Sequence, residues 1–157
     1  DTAASPVSKE NLAIAKSWLA SSDEYNLLVN GTAITAFPVY YQNDLALLRQ
    51  SLRIVQAGTE VAEVKGKDLI PAHGLAMSRL LKTSVFSTEA LTYEQAIAYL
   101  RKEAIVLPPS VPKGYVLVTY KEIPLGFVKN IGNRANNLYP QEWRIRSGYL
   151  PDDIRTL

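Results

Sequence analysis

Between Lys113 and Arg146 six cations (Lys113, Lys121, Lys129, Arg134, Arg144 and Arg146) stand against two carboxylates, Glu122 and Glu142. Arg144 and Arg146 flank Ile145, so an extended strand there sets both guanidinium groups on one face. Tyr120, Phe127, Tyr139 and Trp143 are interleaved with these cations, and aromatic rings stack on unpaired bases. A basic face carrying aromatics and amides is the footprint of an RNA-binding β-module. The plainer reading solvates the arginines and buries the aromatics in a small core. The string GNRANNLYP sharpens the choice, because Asn133, Asn136 and Asn137 are costly to bury unless each amide finds partners. On an exposed loop over Asn130 to Asn137 they reach phosphates or base edges. Alternatively they bond their own backbone.

Other chemistries lack their residues. The 157-residue chain has no cysteine and one histidine, which excludes a disulfide framework, a thiolate metal site, a cysteine nucleophile and an ordinary zinc site. His73 pairs on paper with Asp68 or Ser78, but Ser78 lies off its helical face and no glycine elbow surrounds it. A packed or capping role is the simpler expectation for this histidine. Asp152-Asp153 are adjacent, and Glu60 and Glu63 sit at odd spacing on a strand, pointing to opposite faces. Neither GxGxxG nor GxxxxGK occurs. The net charge of +2 makes any affinity for RNA depend on where the charges lie. No apolar run reaches the length of a membrane span, so no membrane is expected. Residue 1 is Asp and no signal pattern follows it, so an excised piece of a longer cytoplasmic protein is expected.

The elements that must position these residues read as α+β. Ser5-Pro6 caps a helix whose apolar face is Leu12, Ala15, Trp18 and Leu19. Asn30-Gly31 joins strands Tyr25 to Val29 and Ala33 to Val39. Asp44 to Gln50 forms a helical turn. Two strands follow between Ser51 and Pro71, with turns at Ala57-Gly58 and Lys65 to Lys67. Helices are expected over Pro71 to Lys82 and over Thr92 to Lys102, the latter with a Thr92/Gln95 capping box. After a proline-stiffened connection come strands Tyr115 to Tyr120, Ile123 to Lys129 and Trp143 to Arg146. The division is a small α+β unit over 1–88 and a mostly-β unit over 89–157.

Two strings then carry a resemblance. LRIVQAGTEVAEVKGKDLIPAHGLAMSRLL resembles the segment after the catalytic domain of the Sun-family RNA cytosine methyltransferases. The matching features are Leu52-Arg53-Ile54, Ala57-Gly58, the Lys65 to Lys67 turn, and Pro71, His73, Leu75 and Ala76 opening a helix. PLGFVKNIGNRANNLYPQEWRI is similar to the closing PUA-like RNA-binding barrel of the bacterial small-subunit ribosomal RNA methyltransferase F branch. Leu125-Gly126-Phe127, Lys129, Asn137 to Pro140, and Arg144 carry that match. Gly74 departs from the pattern, where a better helix former is usual.

The resemblance implies a parent enzyme that uses cysteines and S-adenosylmethionine to methylate cytosine in 16S ribosomal RNA. This chain would then be its non-catalytic RNA-recognition region, with no cofactor of its own. It would partner ribosomal RNA and the methyltransferase domain of the same chain, as a monomer. Lys129, Arg134, Asn137, Tyr139, Arg144 and Arg146 are the expected RNA contacts, with Lys65, Lys67, His73 and Arg79 extending the same face. The rival is a structural or protein-interaction extension that touches no RNA.

Overall fold

The computed structural model describes residues 6–39 and 58–146. The Asp44 helical turn, the Leu52-Arg53-Ile54 strand and the last residues of the chain lie outside this range. The first sheet is an antiparallel meander of β1 (Tyr25–Asn30), β2 (Ala33–Pro38), β3 (Thr59–Lys65) and β4 (Asp68–Pro71). The second contains β5 (Ser87–Ala90), β6 (Gly114–Tyr120), β7 (Ile123–Asn130) and β8 (Ala135–Asn137), in that order. β5 runs parallel to β6 and the other pairs are antiparallel. The architecture is α+β, with two open sheets in place of the expected closed barrel.

Helix α1 (Lys9–Ser17) starts later than expected, capped by Ser8, whose Oγ accepts from the Asn11 amide. Val7 before the cap and Leu12 one turn in both join the first core, the placement of a hydrophobic staple. The β1–β2 turn is Gly31-Thr32, with Gly31 at φ +61°, one residue on from the Asn-Gly signal. Lys121 and Glu122 make the β6–β7 turn with φ 47° and 67°, the twist that two-residue hairpins favour.

The expected helix over Pro71 to Lys82 shrinks to α2 (His73–Ala76). Pro71 closes β4, and Ser78 stops the helix by donating to the Leu75 carbonyl and accepting the Leu80 amide. Gly74 has a packing reason: a Cβ there would lie 3.0 Å from the Glu60 carbonyl oxygen of β3. Helix α3 (Tyr93–Leu100) carries the expected capping box, with both Thr92–Gln95 hydrogen bonds formed. It ends in a Schellman turn, where the Lys102 amide reaches Tyr99 O and the Glu103 amide reaches Ala98 O. Lys102 takes the left-handed position at φ +68°.

Alternation along β6 and β7 gives the second sheet two buried faces. Val116, Val118 and Val128 pack with Tyr99 and Ala96 of α3. Leu117 and Phe127 face the other way, into the core made by Trp18, Leu19, Ile34, Val61 and Leu75. Phe86 links the two halves, 5.2 Å from the Trp18 ring and 4.9 Å from Phe127. Phe127 is therefore a core residue and offers no surface for stacking.

Candidate nucleic-acid interface

The asparagine-rich segment is built into the fold. Asn130 is 4% exposed; its amide donates to Val111 O and Pro112 O and its Oδ1 accepts the Gly132 amide. Asn137 donates to Tyr99 O at 2.7 Å and Glu103 O at 2.9 Å, and accepts the Tyr139 amide at 2.8 Å. Its amide donors are thus engaged by backbone carbonyls of the protein. Ala135 to Asn137 forms β8 against β7, so only 131–134 remains an exposed connection.

The expected strand over Trp143 to Arg146 is instead a 3-10 turn, Gln141–Trp143, followed by irregular chain. Pro140 precedes that turn, and the Ile145 amide ties the segment to Leu100 O at the end of α3. Arg144 and Arg146 thus do not alternate on a strand face. Arg146 is exposed and Arg144 is half-buried. Lys129 lies over the Tyr115 ring at 5.7 Å and meets Asp68 at 3.4 Å, an exposed pair worth about 0–1 kcal/mol. Lys65 is the register partner of Asp68, and Lys67 occupies the turn between them. Arg134 is in the exposed 131–134 connection, where Gly132 abuts Lys113, and Arg79 is exposed beyond α2. Tyr120 is half-buried, 6.2 Å from the Tyr93 ring.

A cleft of about 620 Å³ opens between β3 and β4 on one side and Lys102 with the chain that follows β8 on the other. His73, Tyr139 and Trp143 line it, with the His73 ring edge-on at 5.4 Å to Tyr139 and 5.1 Å to Trp143. Glu60, Glu63, Lys65, Lys102 and Glu142 supply its charges. Lys102 was missed in the sequence because a lysine at a helix end reads as a dipole partner. Its Nζ donates to Asn137 O at 2.7 Å, and burial together with nearby Lys65 lowers its pKa. Glu60 and Glu63 share the cleft because β3 bulges: Ile34 pairs with Ala62 and Thr35 with Glu60, leaving Val61 extra. Val61 and Ala62 are both buried, and the two glutamates emerge together, contrary to simple alternation.

Burial alone holds the His73 imidazole below its ordinary value of 6.5, and its Nδ1 is buried without a hydrogen-bond partner. Between that lowered value and 6.5 the unfolded chain binds a proton that the folded chain does not. Stability therefore falls as pH drops through this window. Replacing His73→Phe should flatten that dependence: urea midpoints at pH about 7.5 and 5.5 should draw together in the variant. Equal pH sensitivity in both proteins would contradict the assignment.

The unit β5–α3–β6 is a parallel βαβ, which the sequence reading did not anticipate. Its first turn is Leu91-Thr92, without glycine, and the Thr92 hydroxyl already caps the helix. These residues do not fit a nucleotide cofactor such as S-adenosylmethionine, which needs a close backbone approach. Among the described residues no three His, Asp or Glu side chains are grouped to hold a metal. Nor is any described helix long and apolar enough to cross a membrane.

Comparison with known proteins falls on the same region. Residues 86–145 match the family described as the methyltransferase RsmF PUA domain. The chain is also similar to proteins named ribosomal RNA small subunit methyltransferase F. It is 29% identical to that of Enterobacter sp. (strain 638) over 88% of this chain and 27% of the relative. It is 28% identical to that of Klebsiella pneumoniae (strain 342) over 63% of this chain and 20% of the relative. With that of Shigella boydii serotype 4 (strain Sb227) the identity is 30%, over 73% of this chain and 22% of the relative. The chain thus spans about a quarter of the length of the curated relatives it matches.

Proposed function

We propose, from the match of residues 86–145 to the methyltransferase RsmF PUA domain, that this chain is the C-terminal RNA-recognition region of such an enzyme. It binds ribosomal RNA and holds one cytosine of the 16S molecule near the active site of a methyltransferase domain in the same polypeptide. Residues 1–88 link and dock; residues 89–157 grip RNA. The reaction, its cysteines and its S-adenosylmethionine belong to that other domain, and the chain works as a cytoplasmic monomer. Effective concentration is the mechanism: phosphate and stacking contacts keep the substrate beside the catalytic site.

The observation that carries this reading is the coincidence of the PUA match with the cations of 113–146 and with Trp143, which is 61% exposed. Lys129, Arg134, Arg144 and Arg146 contact phosphates and Tyr139 offers its ring. Lys65, Lys67, His73 and Arg79 extend the contact surface, and Asn137 acts by holding Tyr139 in place. The interaction-surface reading keeps one supporting feature, the exposed Leu28 and Val29 on edge strand β1, which suit docking against the methyltransferase domain.

Titration of the chain with a ribosomal RNA fragment, followed by anisotropy, tests the reading. Arg144→Ala with Arg146→Ala should weaken binding about tenfold at low salt, two lost phosphate contacts. A folded chain that binds no RNA at low salt would overturn it.

A further inference from the structure

The cleft between β3–β4 and the chain after β8 has features that a general grip on phosphates does not need. Bulging of β3 brings Glu60 and Glu63 to its wall, and among the described residues no cation forms an ion pair with either. Trp143 faces solvent over most of its surface while its contact with His73 fixes the ring. Lys102 also lines the cleft, where burial and then the charge of Lys65 lower its pKa. The cleft volume, about 620 Å³, is in the range of small-ligand sites.

We propose that this cleft binds a single unpaired guanine nucleotide of the RNA, with the base against Trp143 and its Watson–Crick edge on the Glu60–Glu63 carboxylates. This rests on the RNA-binding reading above and adds base selectivity to it. An ionised carboxylate only accepts hydrogen bonds. Guanine offers it two adjacent donors, N1–H and the exocyclic amino group. Cytosine and adenine bring an amino group beside a ring acceptor. Uracil brings one donor between two acceptor oxygens, which carboxylates repel. Splayed-out bases are read on this edge. Lys65 and Lys102 receive the nucleotide's phosphate and offset the repulsion between it and the glutamates. Burial and then the neighbouring Glu63 carboxylate raise the Glu60 pKa. A donor-bearing base relieves that repulsion.

The experiment compares the whole chain binding nona-uridine RNA with the same RNA carrying one central guanosine or one central inosine, which lacks the amino group. Guanosine should bind about tenfold more tightly than uridine, with inosine between them, the discrimination a good bidentate pair provides. Glu60→Gln with Glu63→Gln should bring the guanosine-to-uridine ratio to within about twofold, and Trp143→Ala should weaken guanosine binding about tenfold by loss of stacking. If all three RNAs bind wild-type chain equally, or the preference survives in the double variant, the guanine site is refuted while RNA binding stands. If none of the RNAs binds at low salt, the RNA-binding reading itself fails.

Discussion

Gly126→Ala should destabilise the protein by about 3–5 kcal/mol, against the ~5–15 kcal/mol typical of a folded domain. Gly126 sits in β7 at φ +151°, beside the register shift between Val118 and Thr119. A Cβ there would lie 2.2 Å from the Tyr99 hydroxyl and 3.1 Å from His73 Nδ1. Neither neighbour is placed to retreat. Tyr99 is fully buried and its hydroxyl donates to Phe127 O at 3.0 Å, while His73 is held by Tyr139 and Trp143. Overpacking of a tight core costs about 1–3 kcal/mol, more where nothing can yield, and the positive φ adds about 1 kcal/mol for a residue with a side chain. Thermal melting should show a drop on the order of 10 °C. Gly66→Ala is the control, since Gly66 has φ +59° with nothing within 4 Å, so only the conformational cost applies there. Similar melting losses in both variants would mean that the Gly126 contact is not tight.

Asn137→Ala should cost about 2–4 kcal/mol, the sum of three hydrogen bonds at roughly 1 kcal/mol each, with the part-buried bond to the Tyr99 carbonyl the most costly to lose. The residue clamps three pieces of chain: the end of α3 through Tyr99 O, the turn after it through Glu103 O, and the Tyr139 amide. Asn137→Asp should be no milder, because a carboxylate keeps the Tyr139 bond but sets an oxygen against two carbonyls. A urea midpoint shift with unchanged slope is the expected signature. If the alanine variant unfolds at the wild-type midpoint, these bonds are not structural and the amide is available for RNA after all.

Those two residues also mark how far the sequence could be read. Signals confined to a few neighbours translated well. The Thr92–Gln95 capping box, the Lys121-Glu122 turn, and Ala15 on the buried side of α1 all follow from local spacing. What failed depended on chain brought from far away. Asn137 looked like a ligand because its partners lie 38 and 34 residues off, at Tyr99 and Glu103. Alternation sent Glu60 and Glu63 to opposite faces, and one extra residue at Val61, required by pairing with β2, reversed that. The cleft itself joins Glu60 of β3 to Trp143 beyond β8, and no spacing in the chain records such a meeting. The PUA-type string around Leu125 to Tyr139 was legible as a resemblance. Its glycine proves to be where β7 passes under Tyr99.

The most direct test of the RNA-binding account is the salt dependence of binding. Each phosphate neutralised on a single strand contributes a slope of about −0.7 in log K against log salt, so four to five contacts predict roughly −3. Removing Arg144 and Arg146 together should make that slope shallower by about 1.4. A slope near zero, or one unchanged by the double substitution, would contradict the claim that these cations hold RNA.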